Sequence, residues 1–378
     1  VESTPLSPGD PTEIGGFELF RRIGHGGMGQ VYLGESPAGE PAAVKVIKPS
    51  VVDSETRARF AQEVEILKTV AGPRIAAFLD ADPEAERPWL ATEFVDGPDL
   101  RRHIGTHGPL PLVLTASLGA TLAEALVGVH RQGLLHRDLK PANILLGVNG
   151  PKIIDFGLAV FMESSASLTA PNTVMGTPAC MAPEQADGVR PLTTSVDVYA
   201  LGAVLLFAAT GHYPFHAENI QVLFRLITDP AKMPDLDGVP QELAPLLTVM
   251  LSHGPADRPP LTEVVQRCRA LIEAQGLTVA QARRRLTART AGSPKPAGPG
   301  TAGAPATADH PSPVDSPPAT PDAVSVPQDG PTPLGSVPEP STRTFAPGSG
   351  RHTVGGASAQ ARRVARQLRE AYARGAKF

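Results

Sequence analysis

His136-Arg137-Asp138-Leu139-Lys140-Pro141-Ala142-Asn143 is the stretch on which the reading of this chain turns. It is polar and charged, yet it lies between two apolar runs. Leu122–His130 on its left reads as a buried helix, and Ile144–Leu146 on its right reads as a short strand. Charge held at the junction of two buried elements costs free energy unless it is partnered or put to use. The flanking sequence must therefore supply partners or a reaction.

The bulk numbers exclude several classes. The 378 residues carry a formal net charge of −4, which gives no global signal for nucleic acid or an anionic membrane. The two cysteines, Cys180 and Cys268, stand far apart without metal-type spacing, which fits a reducing compartment and not a disulfide scaffold. No run of about 18 apolar residues is read, so no membrane span is expected. Val1–Asp10 has neither the basic start nor the apolar core of a signal peptide, and the expected location is cytoplasmic.

Composition places the boundaries. Val1–Gly16, rich in Pro, Ser and Gly, reads as a flexible leader. Strands are read at Phe17–Ile23, Val31–Gly34, Ala42–Ile47 and Trp89–Phe94, with a helix at Ser54–Val70 closed by Gly72-Pro73. From about Leu110 to Gly276 the pattern is mostly helical, and a short helix follows near 276–290. From 291 to 356 the chain turns to Pro, Ala, Gly, Ser and Thr. Such a stretch cannot bury enough apolar surface to offset the entropy of ordering, and it reads as a disordered linker. Residues 357–378 return to helical spacing and carry Arg362, Arg363, Arg366, Arg369 and Arg374, a basic amphipathic tail helix.

Two further patterns bear on chemistry. Ile23–Val31 contains Gly24, Gly26, Gly27 and Gly29, and glycine lets a backbone bend over phosphates with no side chain in the way. Dinucleotide-binding folds use similar spacing but open a helix, whereas Val31-Tyr32-Leu33 reads as a strand. Next, strand alternation puts Ala43 and Lys45 on one face and Lys48 on the other. A buried lysine needs a carboxylate. At about 100° per residue, Phe60, Val64 and Leu67 form one face of the following helix, Glu63 falls at its edge and Glu65 roughly opposite. Glu63 is the candidate partner of Lys45.

These motifs, in this order, resemble the bacterial Ser/Thr protein kinases from about Phe17 to Ala274. The resemblance implies an α+β, two-lobed protein-kinase fold, with a small β-rich N-lobe to about residue 94 and a larger helical C-lobe over about 98–275. Asp138 would orient the acceptor hydroxyl and take its proton, Lys140 would neutralise the γ-phosphate, and Asn143 would bind Mg²⁺. Ile23, the loop glycines, Val31, Ala43, Lys45, the backbone of Glu93 and Val95, and Leu145 would contact ATP, with Thr92 as gatekeeper. Asp155, in Asp155-Phe156-Gly157, would hold Mg²⁺. His136 and Phe156 would pack structurally with Leu67.

The same resemblance frames an activation segment from Asp155 to Ala182-Pro183-Glu184. Arg137 would meet a phosphate there, with Thr169 and Thr173 the candidate acceptors. Thr177 would hydrogen-bond Asp138. Glu184 would pair with Arg258, and Asp197 would brace the catalytic loop. Cys180 departs from the family, which usually has an aromatic residue there. The implied activity is ATP- and Mg²⁺-dependent phosphorylation of Ser/Thr on protein substrates, with autophosphorylation between two copies as a homodimer. No nucleic-acid partner is expected. The rival readings are a pseudokinase scaffold acting through linker and tail, against which stand Lys45, Glu63, Asp138, Asn143 and Asp155, and a small-molecule kinase, disfavoured by Lys140.

Overall fold

The computed structural model describes residues 3–25, 29–48, 54–155 and 178–290, without the side chains of 54–56, 59 and 63. Gly26, Gly27, Phe156, Thr169, Thr173, Thr177, the Glu63 side chain, the linker and the tail lie outside these described residues.

The N-lobe is an antiparallel sheet of β1 (Thr4–Pro5), β2 (Glu13–Ile14), β3 (Phe17–His25), β4 (Gly29–Glu35), β5 (Pro41–Ile47), β6 (Phe78–Asp82) and β7 (Trp89–Glu93). The strands run β1-β3-β4-β5-β7-β6, with β2 also on β3. Alternation along β5 sorts its two faces. Ala42, Val44 and Val46 are buried with Phe17 and Trp89, while Ala43 and Lys45 are half-buried on the opposite face. α1 (Ser54–Leu67) packs into the larger core through Phe60, Val64 and Leu67.

The leader is not loose among its described residues, which corrects the expectation for 1–16. Thr4 and Pro5 pair with Arg22 and Arg21, and Glu13 and Ile14 pair with Glu18 and Phe17. Gly15 lies so close to the Trp89 ring that an added Cβ would stand 2.0 Å from it, so no larger residue fits. A Pro- and Gly-rich composition marks irregular backbone, but anchoring side chains here offset its entropy.

The C-lobe contains α2 (Leu100–His107), α3 (Leu112–Arg131), the hairpin β8 (Ile144–Gly147) and β9 (Gly150–Ile153), α4 (Pro183–Ala186), α5 (Ser195–Thr210), α6 (Ile220–Thr228), α7 (Ala244–Met250), α8 (Leu261–Ala274) and α9 (Val279–Thr290). Every residue of α5 from Val196 to Ala209 is buried, as expected of a helix apolar on all sides. By length and composition alone α3 is apolar enough to cross a membrane. Thr121 and Ser117 interrupt its apolar run; the Thr121 hydroxyl donates back to the Ser117 carbonyl at 2.8 Å, while the Ser117 hydroxyl is buried with no hydrogen-bond partner among the described residues. α5, α8 and α9 cover α3, which makes it a core helix. α9 docks on it through buried Ala282 and Leu286.

One buried pair of groups sets an acid limit. His103 on α2 is 2% exposed, and neither ring nitrogen has a hydrogen-bond partner among the described residues. Burial pushes its pKa below the usual imidazole range, helped by His107 and Arg289 nearby. His136, also buried, is shifted down mainly for the same reason. The unfolded chain binds a proton at each site near pH ~6.5 that the folded chain refuses. Stability should therefore be fully present above that pH and decline as pH falls below it. His103→Leu should leave stability at pH 7.5 unchanged to within about 1 kcal/mol, since no hydrogen bond is lost, and flatten the decline toward pH 5.5. Denaturant melts at the two pH values check this, and an unchanged pH slope would contradict it.

Candidate active site

Arg137 to Asn143 forms a tight loop between α3 and β8, ending in a 3-10 turn over Pro141–Asn143. Arg137 has φ 66°, a left-handed conformation that costs a non-glycine residue free energy and must be held by its surroundings. Asp197, in the first turn of α5, does the holding. Its carboxylate accepts from the backbone N–H of His136 and of Arg137, both at 2.9 Å, and from His130 Nε2 at 2.7 Å. Asp197 is completely buried. Burial alone would raise its pKa, but the hydrogen bond from His130 and the field of His136 outweigh that and hold it below the usual carboxylate range. The start of the helix dipole favours the same charge. His136 continues the brace, with Nε2 3.2 Å from the Ile154 carbonyl.

The reactive side chains meet on the open face of this loop. Asp138 Oδ2 accepts from Lys140 Nζ at 2.6 Å and from Asn143 Nδ2 at 3.2 Å. Asn143 Nδ2 also donates to the Asp138 carbonyl at 2.9 Å, so the loop closes on itself. Asn143 is nearly buried, whereas the Asp138 side chain is 40% exposed, a carboxylate presented to an incoming group.

A second pair stands next to this cluster. Asp155 follows β9, and its neighbour Ile154 donates N–H to the Asn143 carbonyl at 2.9 Å. Lys45 Nζ lies 3.2 Å from Asp155 Oδ2. The structure thus brings Lys45 to Asp155; Glu63 stands on α1, with its side chain outside the described residues. Val31 is the register partner of both Gly24 on β3 and Lys45 on β5, so the described ends of the glycine loop flank the lysine. A small cavity of ≈ 20 Å³, large enough for a water, lies behind Thr92 between Leu67, Phe78, Leu90 and Asp155.

The segment joining the lobes is anchored in part by Lys152, which sequence reasoning did not single out. Glu93 accepts from Lys152 Nζ at 2.6 Å, and its N–H donates to the Ala77 carbonyl at 2.8 Å. Gly97 passes so near β8 that an added Cβ would sit 2.2 Å from the Leu146 carbonyl oxygen. Val95 is buried, and Leu145 is half-buried on β8. His130 was also missed as the third partner of Asp197. A histidine in the last turn of an apolar helix was the available signal.

At the other end of the undescribed segment, Glu184 and Arg258 form a two-pronged ion pair, 2.7 and 2.8 Å. Gln185 Nε2 reaches back to the Arg137 carbonyl at 2.9 Å. Cys180 is buried, and burial pushes its thiol well above the usual range, which makes it a poor nucleophile.

The donor chemistry suits a hard cation. Asp155 and Asn143 offer a carboxylate and an amide oxygen, and Mg²⁺ takes few protein oxygens while keeping water and phosphate ligands. Among the described residues no group of three or more His, Cys, Asp or Glu side chains forms a ready metal cage. An ion shared between two protein oxygens and a polyphosphate fits that arrangement.

Comparison with known proteins identifies the family. Residues 17–268 match the protein kinase domain family. The chain is 45% identical over 262 residues to the probable serine/threonine-protein kinase PkwA of Thermomonospora curvata, covering 69% of this chain and 35% of that protein. It is 44% identical over 256 residues to the serine/threonine-protein kinase AfsK of Streptomyces coelicolor, covering 67% and 32%. The DNA damage-responsive serine/threonine-protein kinase RqkA of Deinococcus radiodurans is 39% identical over 267 residues, covering 68% and 39%. The chain spans about a third of the length of these relatives.

Proposed function

The chain belongs to the protein kinase family, and from that premise we propose that it transfers the γ-phosphoryl group of ATP to Ser and Thr hydroxyls of proteins. The observation that carries this reading is the hydrogen-bonded cluster of Asp138, Lys140 and Asn143 beside the Lys45–Asp155 pair. Asp138 holds the acceptor hydroxyl in line and receives its proton. Lys140 balances charge on the γ-phosphoryl oxygens. Lys45 holds the α- and β-phosphates, and Glu63 is its candidate partner. Asn143 and Asp155 hold Mg²⁺, which when bound neutralises the phosphate oxygens and aligns them for displacement. Positioning and charge account for most of such a rate enhancement. The base of ATP lies between Ala43 and Leu145, against the backbone of Glu93 and Val95.

Incubation with γ-labelled ATP, Mg²⁺ and a mixed protein substrate tests the reading. Label is expected on Ser and Thr. No label, or equal label from an Asp138→Asn control, would remove it.

Arg137 supports regulation by phosphate. Its Nε is buried with no hydrogen-bond partner among the described residues, and a buried unpaired donor is costly. A phosphate on Thr169 or Thr173, supplied by a second copy of the chain, would provide the acceptor. The double replacement Thr169→Ala, Thr173→Ala should lower turnover of an added substrate by about ten-fold. Turnover equal to the unmodified protein would sink this mechanism.

A further inference from the structure

The stretch before the family domain ends in an unusual knot. Asp10 has only 6% of its side chain exposed, and both of its oxygens are fully engaged. Oδ1 accepts from Arg22 Nη2 at 2.7 Å and from the Tyr32 hydroxyl at 2.8 Å. Oδ2 accepts from Arg22 Nε at 2.6 Å and from the Ser7 N–H at 2.7 Å. Arg22 holds the Asp10 carboxyl down at about 2, so it is ionised at any ordinary pH. Burial, with Asp10 adding to it, pushes the Tyr32 phenol up to about 12.

What Asp10 joins gives the knot its meaning. Arg22 on β3 and Tyr32 on β4 are register partners across the hairpin, and the next pair toward the tip is Gly24 with Val31. Those two belong to the glycine loop. The register also slips between Arg22 and Gly24, so the ladder is broken at the mouth of the loop. A bulge loosens backbone pairing, and glycines supply no side chains to restore it. A single carboxylate that grips both strands at that level restores it from outside. β1 pairing with Arg21 and Arg22, and Gly15 seated on Trp89, hold the carboxylate in place.

We propose that the segment over residues 3–16 is a working part of the nucleotide site, and that Asp10 is a positioning residue. It staples the two strands that carry the glycine loop, so that Gly24 and Val31 keep their register for the binding of ATP. Asp10 touches no substrate and acts through Arg22 and Tyr32. The inference rests on the kinase reading for its consequence in turnover, but its first effect is on ATP affinity, which is measurable without turnover.

The test measures ATP affinity by calorimetry, the KM for ATP and for peptide, and amide hydrogen exchange over residues 19–34. Asp10→Ala should weaken ATP binding about ten-fold and raise the ATP KM in parallel, the scale of losing a charge-assisted hydrogen bond. Peptide KM should stay within about two-fold, since the peptide side of the site is untouched. Exchange should rise over residues 19–34 and not in α5. Tyr32→Phe removes one leg of the staple and keeps the ring, so it should weaken ATP about three-fold and decides the matter if Asp10→Ala does not fold. ATP affinity unchanged in the folded variants would overturn the proposal. So would a peptide KM rising in step with the ATP KM, which would mark general loosening. A wild-type protein that binds ATP but transfers no label would remove the kinase reading, while the calorimetric comparison would still decide the role of Asp10.

Discussion

Asp138→Asn should lower phosphoryl transfer by about 10²- to 10⁴-fold while leaving the fold intact, the range for losing a positioned general base. Asparagine is nearly the same shape, so the packing around the loop is kept. Its amide cannot take the acceptor proton, and it no longer balances Lys140, now 2.6 Å from the Asp138 carboxylate. The Asp138 side chain is 40% exposed, and the loop is held by Asp197 beneath it, so the thermal midpoint should barely move. Steady-state kinetics with saturating ATP and a melting curve on the same preparation check both halves. Turnover within a few-fold of the parent would exclude Asp138 as the base.

The largest loss of stability is expected from Arg258→Ala. The Arg258 side chain is fully buried. It grips Glu184 with both terminal nitrogens and also donates to the Ser252, Ser195 and His253 carbonyls at 2.8, 3.1 and 2.9 Å. Its guanidinium lies 4.9 Å from the centre of the Tyr199 ring. Removal leaves a carboxylate and three carbonyls facing a void. Breaking one side of a buried pair typically costs about 3–5 kcal/mol, a large share of the roughly 5–15 kcal/mol that holds a protein folded. The thermal midpoint should drop by about 10 °C. The double variant Arg258→Met, Glu184→Leu should recover much of that loss, because it removes the stranded charge as well. Calorimetric melts of the two single variants and the double variant check this, and a single variant as stable as the parent would contradict it. Transfer activity should fall in Arg258→Ala even well below its melting point, because Arg258 holds Glu184 and the neighbouring Gln185 bonds the Arg137 carbonyl.

Much of this was legible because the motifs are local. The run from His136 to Asn143 needs only its own spacing to bring Lys140 and Asn143 onto Asp138, since a short loop leaves few other arrangements. The strand period alone put Ala43 and Lys45 on one face of β5, away from buried Val44.

Other features were decided by contacts between residues distant in sequence. The leader looked loose because Pro, Gly and Ser carry no periodicity. Its order comes from Asp10 reaching Arg22 and Tyr32, and from Gly15 reaching Trp89. Lys45 found Asp155, a partner that the helical wheel of α1 could not suggest, because the end of β9 is carried to it by the pairing of Ile154 with Asn143. The sequence by itself determined on which element each candidate side chain sits, because those choices follow from spacing and residue type. Only the tertiary structure decided which carboxylate meets which cation, because charge pairing is settled by the packing that brings separate elements within about 3 Å of each other, a distance that no period along the chain encodes.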